Sequence, residues 1–124
     1  MARTALAYTA LLPNGGISDP AGTAVNTGAG NGHVIARALP ERTLLRVTNT
    51  HTAAHTVTIK AGAYPPAFAA GQGDLSVTVP ASGAAFIGPL ESGRFLQNDG
   101  SLIVEVPDAA HTGNITALRI PGAV

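Results

Sequence analysis

Glycine and proline interrupt this chain so often that no long helix fits between them. There are fifteen glycines and nine prolines among 124 residues. Between the breaks lie short runs in which apolar and polar residues alternate, rich in valine, isoleucine and threonine. That period of two is the signature of half-buried strands. Helical periodicity never persists across a window of roughly 11–18 residues without a break.

The alternating runs fall at residues 5–12, 33–38, 43–49, 56–61, 75–79, 84–87, 94–97, 102–106 and 115–120. Their spacing of about ten residues points to a sandwich or barrel rather than βα units. The fold class expected is therefore all-β: a single jelly-roll-like β-sandwich of about eight or nine short antiparallel strands. Residues 43–61 read as a hairpin closed by a polar loop of about five to seven residues. Asp99-Gly100 reads as a tight turn between residues 94–97 and 102–106. Residues 1–32 form an N-terminal strand and a glycine-rich arm, and residues 33–124 the sandwich, all within one domain. The apolar phase of each run puts Leu6, Tyr8, Val34, Leu45, Val47, Val57, Ile59, Leu75, Val77, Val79, Phe86, Phe95, Leu102, Val104, Leu118 and Ile120 inside.

Composition narrows the function. Cysteine is absent, so disulfides, thiolate nucleophiles and cysteine-ligated metals are excluded. Seven basic residues balance seven acidic ones, which disfavours a nucleic-acid partner. No apolar run approaches the roughly 18–20 residues of a membrane span. The start of the chain is too short and too interrupted by Thr4, Tyr8 and Thr9 to read as a secretory signal. Only 11% of residues are charged and the net charge is zero. Neutrality favours association, so this chain reads as one that works against another protein.

Catalytic patterns are not evident. His51 and His55 are four apart, but the spacing suits a metal only on a helix, and here it falls in a loop. They read as solvated turn residues. The seven carboxylates show no calcium-loop pattern, and no serine lies in Gly-x-Ser-x-Gly. Gly28 to Gly32 lacks the Lys-Ser/Thr and the following helix of a phosphate loop. The expectation is a non-enzyme with no cofactor, no catalytic residue and no metal ligand. Tyr64-Pro65-Pro66-Ala67-Phe68 is the one aromatic–proline cluster, suited to a rigid contact patch or to a loop tucked over the sandwich edge.

Several segments carry more than composition: Val47-Thr48-Asn49-Thr50, Thr56-Val57-Thr58-Ile59-Lys60-Ala61-Gly62, Pro65-Pro66-Ala67, Ala70-Gly71-Gln72-Gly73-Asp74-Leu75 and Ile87-Gly88-Pro89-Leu90-Glu91-Ser92-Gly93-Arg94-Phe95. With Gln97 and Asp99-Gly100-Ser101, this order resembles small capsid decoration, or cement, proteins of actinobacterial tailed phages and prophages. The resemblance spans residues 44–106, about half the chain, and rests on turn and strand motifs; residues 1–41 carry little of it. It implies a β-sandwich, made in the host cytoplasm, that binds the outside of an icosahedral head, with the major capsid protein as partner and often as a homotrimer. Under that reading Arg3, Leu6, Tyr8, Leu11, Tyr64, Pro65, Pro66 and Phe68 are the candidate capsid or subunit contacts. The alternative is a displayed carbohydrate- or receptor-binding sandwich, which calls for a concave or loop-end patch of exposed aromatics with carboxylates; the sparse aromatics count against it.

Overall fold

The structure, a computed structural model, describes residues 3–28, 30–63 and 68–121. Among the described residues ten strands follow in chain order: β1 (Thr4–Ala5), β2 (Tyr8–Ala10), β3 (Thr23–Ala24), β4 (His33–Ile35), β5 (Thr43–Asn49), β6 (His55–Ile59), β7 (Leu75–Val79), β8 (Gly83–Ile87), β9 (Leu102–Glu105) and β10 (Asn114–Arg119). One helical turn, α1 (Ser92–Phe95), and 3-10 turns at Pro40–Arg42 and Ala70–Gln72 complete the elements. The strands form two sheets, ordered β1-β4-β9-β6-β7 and β2-β10-β5-β8, with β3 also paired to β10. The chain is therefore all-β and sandwich-like.

Alternation in the sequence becomes alternation in burial. Along β5, Thr43, Leu45, Val47 and Asn49 are buried while Leu44, Arg46 and Thr48 are half-buried. Leu45 and Val47 sit on the inner face of one sheet; Val57, Ile59, Leu102 and Val104 come from the other, and all six belong to one core. Burying one such side chain contributes roughly 1.5–3 kcal/mol, and Phe95 adds an aromatic ring to the same core.

Four expectations need correction. The run 5–12 is not one strand. β1 lies parallel to β4 in the first sheet, and β2 lies parallel to β10 in the second. The chain crosses between the layers at Leu6-Ala7, and Leu6 is buried there. These two pairings are the parallel exceptions to the otherwise antiparallel strand ladders. Second, residues 43–61 are not a hairpin. β5 pairs with β10 and β8, whereas β6 pairs with β7 and β9, so the loop between them arches from one sheet to the other. Third, residues 94–97 are not a strand; α1 occupies part of that run, and Gly100 closes a turn after it. Fourth, the β8 phase is inverted: Ile87 is buried and Phe86 is 61% exposed. Of the remaining core expectations, Tyr8, Val34, Leu75, Val77 and Ile120 are only half-buried, while Ile35, Leu90, Val106, Ile115 and Ala117 are core residues.

Several glycines permit close backbone approaches, Gly32 and Gly113 among them. Gly32 and Gly113 both have positive φ, and a Cβ on either would collide with a carbonyl oxygen, that of Val104 and that of Thr48 respectively. Only glycine accepts both conditions at no steric cost.

Candidate functional site

The N-terminal candidates are engaged inside the fold. Arg3 pairs with Glu105 at 2.9 Å and also donates to the Asn31 carbonyl. Leu6 is 6% exposed. The Tyr8 hydroxyl meets Thr43 Oγ1 at 2.7 Å and accepts the Leu39 N–H at 2.8 Å. Leu11 is half-buried, and its N–H donates to the Arg119 carbonyl. Tyr64, Pro65 and Pro66 lie outside the described residues. Phe68 alone of the described candidates stands in the open, at 80% exposure.

Phe68 is positioned by local backbone bonds. The Ala69 N–H donates to the Gly93 carbonyl at 2.6 Å, and the Gln72 N–H to the Ala69 carbonyl at 3.0 Å. The ring packs over Gly93: its atoms lie 3.4 and 3.5 Å from where a Cβ would stand. A Cβ at position 93 would meet the ring at ordinary van der Waals distance. Beside it, Glu41 Oε2 accepts both the Ser92 N–H at 2.8 Å and the Ser92 hydroxyl at 2.7 Å. The backbone bond from Ser92 holds the Glu41 carboxyl below its ordinary range, so it is an anion at neutral pH. Arg94 is held away from this patch. Its Nε donates to the Gly73 carbonyl at 3.0 Å and its Nη2 to the Asp74 carbonyl at 3.2 Å, with the guanidinium 4.8 Å from the Phe95 ring centre.

The result is a bipartite rim. One concavity of about 280 Å³ is lined by Glu41, Phe68, Ala69, Glu91, Ser92 and Gly93. A second, of about 400 Å³, is lined by Leu39, Pro40, Arg42 and Leu96 among others, and shares Glu41 and Ser92 with the first. Leu39 is 42% exposed. An aromatic and an aliphatic side chain thus flank a hydrogen-bonded carboxylate ridge. That composition suits contact with a surface that offers both apolar area and donors.

The opposite reading of the histidines also needs correction. His51 and His55 are not solvated turn residues. His55 is 8% exposed, its Nδ1 meets Asp108 Oδ2 at 2.8 Å and its Nε2 meets His51 Nδ1 at 2.9 Å. The His111 ring stacks on His55 with centroids 5.6 Å apart, and His111 Nε2 donates to the Thr48 carbonyl at 2.9 Å. The Asp108 carboxyl is held low, first by the Ala110 N–H and then by His55. The spacing of four acts here through a sheet-to-sheet arch that folds His51 back onto β6. No sequence signal pairs these residues with Asp108 and His111, which are more than fifty residues away. Among the described residues, no group of three or more such side chains is gathered so as to hold a metal ion.

The chain matches no protein-family model, no curated protein and no solved structure.

Proposed function

We propose that this chain is a structural virion protein, a capsid decoration or cement protein that binds the outer surface of an icosahedral head through its major capsid protein. The resemblance over residues 44–106 suggests this reading, and the observation that carries it is the exposed Phe68 rim. An exposed aromatic and an exposed aliphatic side chain with polar groups between them mark an interaction surface, and aromatics of this kind anchor protein interfaces. The chain functions without turnover: a subunit that binds the assembled lattice but not its dispersed parts stabilises the lattice in proportion to occupancy. Attachment as a trimer multiplies weak contacts. Zero net charge suits a protein that is immobilised on a shell rather than kept apart by repulsion.

The test adds purified chain to empty heads and counts added density by electron microscopy. Stoichiometric density on the outside supports the reading. Bare heads at saturating protein would remove it.

A second reading, a displayed carbohydrate- or receptor-binding module, is favoured by the same rim. Phe68 could cover the apolar face of a sugar ring while Glu41 and Glu91 accept its hydroxyls within the 280 Å³ concavity. A glycan array without binding at high protein concentration would dispose of it.

A further inference from the structure

The second sheet ends in β8, which pairs with β5 on one side and with no described strand on the other. Exposed strand edges are templates for pairing with another chain, and proteins usually guard them with charge, proline or a bulge. Residues Gly83-Ala84-Ala85-Phe86-Ile87 carry no charge and no proline. The other sheet has two edge strands, β1 and β7; β7 also lacks charge, but its outward residues are only Ser76 and Thr78. β8 differs because it presents a knob. Phe86 is 61% exposed on the outer face, and Ala84 is exposed on the same face two residues before it.

A shallow depression open to solvent, the hole for that knob, lies beside it on the same face. A concavity of about 420 Å³ is lined by Arg46, Thr48, Ser82, Gly83 and Ala84, among others. It exists because Ser82, Gly83 and Ala84 are small. The register across β5 and β8 sets Arg46 beside Phe86 and Thr48 beside Ala84. Knob and hole are therefore neighbours on a five-residue strand with Ala85 at its centre.

We propose that two copies of this chain associate through antiparallel pairing of their β8 strands about Ala85, each Phe86 seated over the other copy's Ala84. A two-fold axis at Ala85 places Ala84 directly opposite the partner's Phe86, with Cβ atoms about 4.5–5.5 Å apart. Both knobs then fill both holes, which is the self-complementarity that an isologous contact requires. Across the joint one row reads Arg46, Phe86, the partner's Ala84 and the partner's Thr48, and the other row is its mirror in order. The two Arg46 side chains stand in different rows, and each already has Asp19 at 3.4 Å, so no like charges are forced together. The chain's zero net charge removes long-range repulsion between copies. The joined sheet runs β2-β10-β5-β8 and then the same four strands in reverse order.

One pair of five-residue strands is a small contact against the roughly 1,200–2,000 Å² of a stable interface, so the association is reversible and concentration-dependent. This proposal concerns the isolated chain and stands or falls apart from head binding. Sedimentation velocity on the purified protein, from micromolar to millimolar concentration, tests it. The expected result is a monomer–dimer equilibrium that weakens at least about tenfold in Phe86→Lys, which removes the knob, and in Ala84→Lys, which fills the hole. Both positions are exposed, so circular dichroism and thermal melting of the monomer should stay unchanged. A wild-type monomer at every concentration overturns the proposal. So does an oligomer of any size that both variants leave intact. If the wild type stays monomeric while Phe86→Lys loses occupancy on heads, the edge belongs to the shell protein, and self-pairing is equally overturned.

Discussion

The backbone N–H of Asn26 donates to Nε2 of the buried His33 at 3.0 Å. That bond fixes the imidazole as a neutral acceptor at this nitrogen. Asn26 also donates from Nδ2 to Thr4 Oγ1 and to the Gly32 carbonyl, so one residue ties the arm to β1 and to the start of β4. Protonation of His33 would set one N–H against another. Burial pushes the His33 pKa below its ordinary 6.5. The unfolded chain therefore binds the proton first, and stability present at neutral pH is lost as pH falls below about 6.5 towards the folded-state value. Urea midpoints should fall between about pH 7.5 and about pH 5, and His33→Gln, whose amide oxygen can still accept, should show a shallower fall. Equal slopes in the two proteins would show that the loss comes from other groups.

Tyr8 joins β2 to the entry of β5 through one hydroxyl with two partners. Tyr8→Phe keeps the ring and removes both bonds, at 2.7 and 2.8 Å. The expected cost is about 1–2 kcal/mol, because the Leu39 N–H can turn partly to water while Thr43 Oγ1 keeps its bond to the Leu39 carbonyl. Denaturant titration at neutral pH measures it; a loss near zero would mean that water replaces the hydroxyl.

Phe68→Ala should leave stability within about 0.5 kcal/mol, as expected at so exposed a position. It should lower occupancy on heads at least about tenfold if the ring is an anchor. Unchanged occupancy would move the contact elsewhere on the molecule.

Gly113→Ala meets two penalties together. The residue has φ +141°, and the new Cβ collides with backbone and side-chain atoms of Thr48. Because His111 donates to the same Thr48 carbonyl, the collision also disturbs the histidine stack. A cost of about 2–4 kcal/mol is expected from thermal or chemical denaturation. Gly73→Ala provides the comparison: φ is again positive, +83°, but no atom lies within 4 Å of its Cβ, so its cost should be smaller.

What could be read in advance was local. The alternation of residues 43–49 and of 102–105 gave both the strands and their inward faces, because each has one side on the core and one towards solvent. Partners were not readable. A period of two says which face a residue takes but not which strand lies beside it, so β5 and β6 looked like neighbours although they belong to different sheets. β8 misled because both of its faces carry apolar residues, and the larger one, Phe86, points outward. β10 defeats the rule altogether. Ile115, Thr116, Ala117 and Leu118 are all buried, and part of the reason is that Gly22 packs against the outward Thr116. The Phe68 rim was legible as an aromatic cluster; its carboxylate ridge depends on Glu41 meeting Ser92, fifty-one positions away.

The crossing at Leu6-Ala7 has a consequence for the order of folding. Ala10 lies beside Arg119, and Ala117 beside Tyr8, so strands widely separated in the sequence dock side by side. β10 lies between β2 and β5, so the second sheet is incomplete until that distant pair has met. Closure is thus a late event, because contacts this distant in the chain are slow to form. Once made, they clamp β2 and β10 into the same wall.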